Sequence, residues 1–431
     1  MRLRHIAAWI ILAFTVADAQ TIEYSKFFAD NRLRVDYYHT GTKTEEMFSL
    51  EQVYEEPSFA GSRTNLVDTL NLGLYQVRVY DAATNQLIYT HGFASIFGEW
   101  KTTDEAALKI RRTFSESVLI PCPKRPIQLA IAVRDHWNRF VEKWSTYVDP
   151  SSRFVSRTPH GKNIPVTMWL KNGDPATHVD LVVLAEGYTE KEMEKFRKDA
   201  DRLLKALFST SPFKEMKSNF NVTLVETPSQ ESGINRPREN VWVNTALETT
   251  FNFFDLPRYV LTAENRRLRD DLARIPYDAV IILLNTPYYG GGGIYNLYSI
   301  ACADNQWSSY VFVHEFGHCF GGLGDEYCAS TTPYNDAYPA GIEPWEPNIT
   351  ALLSPPDVKW RDLVAPGTPV PTPADSSKYP FPTVGAFEGA GYAAKGLYRP
   401  AIDCIMISRT QTQFDPVCAR ALRNVIEDLS R

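Results

Sequence analysis

One stretch constrains this chain more than any other: Val313-His314-Glu315-Phe316-Gly317-His318, followed by Cys319-Phe320-Gly321-Gly322-Leu323-Gly324-Asp325-Glu326-Tyr327. Residues four apart on a helix share a face, so a helical reading lets both imidazoles reach one ion. Glu315 then sits where it can reach a water on that ion without itself being a ligand. Ser308 or Ser309 is the expected cap of this helix, and Gly321 and Gly322 supply its left-handed stop. The stop folds the chain back, so that a side chain shortly after the helix can meet the same ion.

Asp325 is the preferred third ligand. It lies 11 residues after His314, one more than in the pattern His-Glu-x-x-His-x-x-Gly-x-x-His, and the extra glycine can absorb the difference. A carboxylate is an acceptable zinc ligand. The adjacent Glu326 and the later Glu343, 25 residues after His318, are the alternatives. With His314, His318 and Asp325 as ligands, zinc keeps a position for water and lowers its pKa, and Glu315 serves as general base. A methionine in a short turn beneath such a site marks metzincin-type peptidases. Met406, in Asp403-Cys404-Ile405-Met406-Ile407-Ser408, is the candidate here.

The N-terminus has the pattern of a secretory signal. Arg2 and Arg4 precede the apolar run Ile6–Val16, and Ala17-Asp18-Ala19 offers small residues for cleavage. The run is too short to span a bilayer. No later stretch of 18 apolar residues occurs, so the expectation is an exported protein in the secreted, periplasmic or cell-surface space, with residues 1–19 removed. A net charge of −6 argues against nucleic acid as a partner. In an exported chain the six cysteines can pair, and Cys302–Cys328 and Cys404–Cys418 are candidate pairs, beside the alternative of free buried thiols.

Residues 20–156 read as short alternating strands, including Arg32–Tyr38, Leu74–Tyr80 and Pro126–Arg134, and imply an antiparallel β-sandwich acting as an accessory domain. His39, His91 and His136 within it read as hydrogen-bonded or surface histidines. The Pro- and Ser-containing stretch from Asp149 to Gly161 is the expected junction. Residues 157–431 then alternate apolar strands (Asp180–Ala185, Phe220–Glu226, Ala279–Asn285) with helices beginning at Thr189 and near Ala263, which implies an α/β domain with a largely parallel sheet. The glycines at 290–293 read as a mobile loop leading to a strand over Ile294–Ala301. That strand, at a sheet edge, is a candidate for pairing with an extended peptide. Pro416–Leu429 has helical periodicity.

The sequence resembles the immunoglobulin A peptidase family of zinc metallopeptidases. The resemblance rests on His314–Tyr327, on Asp180–Thr189, and on Tyr398–Met406 with Phe414–Cys418. It extends to the N-terminal Arg34–Gly41 and Gly92–Trp100, which are similar to the β-domain of gut-bacterial two-domain members. It implies a metzincin-like catalytic domain with His314, His318 and Asp325 as zinc ligands and Glu315 as catalyst. The expected activity is endopeptidase cleavage of extracellular proteins or glycoproteins. A non-catalytic binding protein with a vestigial zinc site, or a hydrolase of a non-peptide bond, is the alternative. Tyr327 and Tyr398 are candidates for stabilising the oxyanion.

Overall fold

The computed structural model describes residues 22–158, 161, 163–328, 338, 341–352, 354, 356 and 358–431, so the signal-like segment of residues 1–19 lies outside the described residues. Eight strands precede residue 157: β1 (Phe28–Gly41), β2 (Glu46–Glu56), β3 (Tyr75–Asp81), β4 (Leu87–Phe93), β5 (Arg112–Pro123), β6 (Ile127–Arg134), β7 (Phe140–Val148) and β8 (Val155–Ser156). They form two four-stranded sheets, in the orders β5-β1-β2-β8 and β4-β3-β6-β7. All pairings are antiparallel except the short β2–β8 contact. The alternating apolar residues of both sheets, among them Val35, Ile120, Val77 and Ile131, bury themselves in one common core.

The polar face of β1 is not solvated, contrary to what simple alternation implies. Arg32, Arg34 and Asp36 are 0–1% exposed, because this face packs on the rest of the chain. Arg32 donates to the Leu272 and Ile275 carbonyls at 2.8 and 3.0 Å and pairs with Glu56 at 2.7 Å. Arg34 pairs with Asp36 and with Asp270, both at 2.8 Å. These guanidiniums are buried against carboxylates and backbone carbonyls, so they specify how the two parts of the chain meet more than they add net stability. His39 is equally buried, between Glu116 and Glu46 at 2.8 and 2.9 Å. His91 bonds to Asn296 at 3.0 Å.

The second unit is built on a six-stranded sheet of β9 (Val166–Leu170), β10 (Val179–Glu186), β11 (Phe220–Val225), β12 (Ala279–Leu284), β13 (Gly291–Ile294) and β14 (Tyr298–Cys302). The order is β13-β14-β12-β10-β11-β9, with the inner four strands parallel and an antiparallel strand at each edge. β10 and β12 are buried at every position, as continuous apolar runs on a two-sided sheet must be. Helices Met193–Leu207, Ser308–Gly321 and Pro416–Leu429 pack around this sheet. Thr189 and Glu192 form the reciprocal capping box that starts the first of them. A late hairpin, β15 (Phe387–Ala390) with β16 (Ala393–Arg399), completes the unit.

Two expectations are corrected here. The glycines are not a mobile loop, and Ile294–Ala301 is not one strand: Gly291–Ile294 is the edge strand β13, and a turn at Asn296 leads back into β14. The cause is steric. A Cβ at Gly293 would lie 2.4 Å from the Glu315 carbonyl oxygen and 2.9 Å from the His318 Cβ, and one at Gly291 would lie 2.8 Å from Glu315 Oε1. Only glycine lets the edge strand approach the Ser308–Gly321 helix this closely. The outer edge at Gly291 is also already used, since Gly291 N–H donates to the Arg258 carbonyl at 3.3 Å and Val260 N–H donates to that of Gly291 at 3.2 Å.

Gly293→Ala is therefore expected to destabilise the protein by about 1–3 kcal/mol, the usual cost of overpacking. Chemical denaturation of the variant against the wild type measures it.

Candidate metal centre and active-site cleft

The Ser308–Gly321 helix ends at Gly322, whose φ of +61° is the left-handed cap expected from the glycine pair. Its start differs from expectation. Ser308 Oγ donates back to the Asn305 carbonyl at 2.7 Å, and the N-cap position is Trp307, with no side chain capping it. After the cap, Leu323 N–H returns to the Gly317 carbonyl at 3.3 Å. The chain then brings Asp325 back beside the histidines.

Three donor atoms converge. His314 Nε2 and His318 Nε2 are 3.1 Å apart, and Asp325 Oδ1 is 3.3 Å from the first and 3.4 Å from the second. Ligands at about 2.0–2.1 Å in tetrahedral geometry stand about 3.3–3.4 Å from one another. The triangle thus matches one face of such a site. Tautomers agree with it. His314 Nδ1 lies 3.0 Å from the Ile405 carbonyl and His318 Nδ1 lies 2.6 Å from the Leu323 carbonyl. A carbonyl only accepts, so each ring carries a proton on Nδ1 and turns Nε2 to the converging point, where a cation would displace any second proton. Asp325 Oδ1 is buried with no hydrogen-bond donor. Its other oxygen, Oδ2, accepts from the Tyr327 hydroxyl at 3.0 Å and from that of Tyr392. Three donors with one open side can hold a small divalent cation and leave room for water.

Glu315 reaches the same point from the neighbouring helix position, its carboxylate within 4.8 Å of the imidazole nitrogens and against Gly291 of β13. Burial raises its pKa, with His314 and His318 partly offsetting this. A carboxyl tuned upward in a cleft is suited to taking and returning a proton. Met406 is fully buried, and a Cβ on Gly317 would lie 3.1 Å from its sulfur, so it sits directly under the helix that carries the histidines.

The alternative ligands are engaged elsewhere. Glu326 Oε1 accepts from Asn348 Nδ2 at 2.8 Å and from the Cys418 thiol at 3.0 Å. Glu343 accepts from Ala351 N–H at 3.0 Å and stands 3.4 Å from Lys359. Neither pairs with His314 or His318 among the described residues. Of the two tyrosine candidates, Tyr327 lines the cleft but spends its hydroxyl on Asp325, and Tyr398 pairs with Thr350 on β16. Sequence reasoning did not find Tyr392, Tyr310 or Arg258. Tyr310 lies one helical turn before His314, with its hydroxyl 3.2 Å from Nδ1, and that spacing was a usable signal. Arg258, in an irregular segment, carried none. Burial opposes its charge, but Tyr327, Tyr289, Asp325 and Glu315 outweigh this and raise its pKa.

The centre opens into a cleft of about 1040 Å³. The first unit contributes Lys43, Glu99, Arg134 and His136 to its lining, and the second contributes Arg258 and Tyr289. All six cysteines are free: Cys302 faces Ser308 at 4.0 Å, whereas Cys328 is exposed against Gly389, so this candidate pair is not brought together.

Fold and site together define an α/β protein of more than one domain whose open cleft ends on a candidate metal centre. Residues 167–381 and 377–426 match the family profile described as IgA Peptidase M64, and residues 23–145 match that of the Peptidase M64 N-terminus. The chain belongs to this peptidase family, whose members act on protein substrates. No curated protein was found to match it. Among the described residues no helix is long and apolar enough to cross a membrane.

The same cluster sets a pH dependence. Burial opposes a proton on His318, but the Asp325 carboxylate outweighs it and raises the pKa to about 9, against an ordinary value of 6.5. In metal-free protein this stabilises the fold fully below pH 6.5 and is lost as pH rises through about 9. Metal binding must displace that proton, so affinity runs the other way, falling about tenfold per unit below pH 9. Competition with a chromophoric chelator across pH 6–10, beside thermal melts of chelated protein, measures both.

Proposed function

We propose that this peptidase is an exported, zinc-dependent endopeptidase, with an N-terminal β-sandwich followed by a metzincin-like catalytic domain. The observation that carries the reading is the triangle of His314, His318 and Asp325, with both imidazoles locked by backbone carbonyls into the tautomer a metal needs. When bound, zinc supplies an acidified water and polarises the scissile carbonyl.

The chain's own residues do the rest. Glu315 takes the proton of the attacking water at its carboxylate and delivers it to the leaving amine nitrogen. Tyr327 and Tyr392 hold Asp325 by one oxygen, which leaves the other directed at the ion. Ile405 and Leu323 keep both rings aimed, and Met406 supports the helix from below. The long open cleft lined by both units suits an extended segment of protein or glycoprotein better than a small compact substrate. Arg258 supplies positive charge at its edge. Export is supported by Arg2, Arg4 and the apolar run Ile6–Val16.

Glu315→Ala is expected to retain zinc and fold but to lose at least about 10²–10⁴-fold in cleavage rate, read as a proteome-wide cleavage profile against wild type. Full residual cleavage would overturn the mechanism. Asp325→Ala is expected to lower the zinc content by one equivalent while Glu343→Ala leaves it unchanged, checked by elemental analysis after gel filtration.

A further inference from the structure

A second cluster lies on the far side of the segment that carries Asp325. Glu326, Cys404, Asp415 and Cys418 each offer a ligand atom, and these atoms all lie within 4.8 Å of one another. All four residues are fully buried. Glu326 Oε1 is satisfied by Asn348 and by the Cys418 thiol. Asp415 Oδ1 is satisfied by the Val417 and Cys418 amides at 2.7 and 3.1 Å, as the N-cap of the Pro416–Leu429 helix. Cys404 Sγ accepts from Asp415 N–H at 3.4 Å. The remaining oxygens, Glu326 Oε2 and Asp415 Oδ2, accept from no donor.

Two buried carboxylate oxygens brought together with no donor require something positive between them. The hydrogen-bond donors around Glu326 and Asp415 are Asn348, the Cys418 thiol and backbone amides, and among the described residues neither carboxylate forms an ion pair with a lysine or arginine. That leaves a shared proton or a cation. A shared proton accounts for the oxygens and leaves each sulfur with one hydrogen bond, but it gives no reason for four ligand atoms to lie within 4.8 Å of one another. A cation accounts for all four donors. We propose that Glu326, Cys404, Asp415 and Cys418 form a second metal site, structural rather than catalytic, that takes a zinc-class divalent cation through two sulfurs and two carboxylate oxygens.

The donor set selects the ion, since thiolates favour zinc over calcium or magnesium and four donors without an open position close a structural site. Binding displaces the two thiol protons to solvent. The consequence for the first site is positional. Glu326 directly follows Asp325, its N–H donates to the Met406 carbonyl at 3.0 Å, and Cys404 lies two residues before Met406. The ion would tie the segment carrying Asp325, the turn under the histidines and the last helix into one unit.

The proposal does not depend on a metal at the histidines, and one spectroscopic difference separates the two. His314, His318 and Asp325 offer only nitrogen and oxygen, so sulfur scatterers at about 2.3 Å in the zinc X-ray absorption edge can come only from the second site. The test uses the full chain purified with zinc, as wild type and as the His314→Ala/His318→Ala double variant. The expected result is metal retained in the double variant, with sulfur in its coordination shell, and lost when Cys404→Ser and Cys418→Ser are added. A nitrogen- and oxygen-only shell in wild type would overturn the proposal, and free thiols counted in that sample would assign the pair to a shared proton. An intact mass showing a Cys404–Cys418 disulfide would overturn it as well. Should the double variant fail to fold, the wild-type spectrum alone decides.

Discussion

The active-site arrangement depends on two hydrogen bonds, from His318 Nδ1 to the Leu323 carbonyl and from His314 Nδ1 to the Ile405 carbonyl. Each carbonyl comes from a part of the chain with its own reason to be there. Leu323 is placed by the left-handed turn at Gly322, and Ile405 by the turn containing Met406. Glu326 N–H joins these two segments by bonding to the Met406 carbonyl. A flip of either ring would turn the carbonyl-bound Nδ1–H toward the point where the two Nε2 atoms now converge. The tautomer of a histidine pair is therefore a property of three separated stretches of sequence.

The N-terminal sheets belong to the same construction. They were expected to be accessory, and their own residues carry no catalytic constellation. Yet β6 and its following turn supply Arg134 and His136 to the cleft wall, and β1 buries Arg32 and Arg34 against the second unit. Removing one partner of such a buried pair costs about 3–5 kcal/mol, because the other charge is left uncompensated. The interface thus tolerates one docking geometry and penalises others. A cleft with walls from two units keeps its shape only if their relation is fixed, and buried charge fixes it more selectively than apolar contact.

Much of this was legible because it follows from local rules. The capping box at Thr189, the continuous apolar runs of β10 and β12, the glycine stop after the histidine helix and the placement of Asp325 all follow from spacing and residue type. What was not legible depends on contacts between distant segments. The glycines at 290–293 read locally as a loop, since nothing in them announces that a helix will lie at contact distance. The polar face of β1 reads as solvated, since the Asp270 carboxylate and the Leu272 and Ile275 carbonyls that cover it lie more than 200 residues away. Tyr392 and Arg258 reach the cleft from a turn and an irregular segment, where no periodicity exists to flag them.

Asp325 shows why these two kinds of information differ. Its spacing from His314 makes it available, but availability does not choose between it, Glu326 and Glu343. The choice is made by what occupies each carboxylate. Glu343 is held by Lys359 and a backbone amide, and Glu326 by Asn348 and Cys418. Asp325 receives two tyrosine hydroxyls on one oxygen and none on the other. A buried carboxylate oxygen left without a donor is costly, and its cost is tolerable where a cation can meet it. The adjacent residue repeats the pattern, with Glu326 Oε2 also lacking a donor. A single Asp-Glu step can therefore address two separate charge-demanding sites, one at the cleft and one in the core behind it.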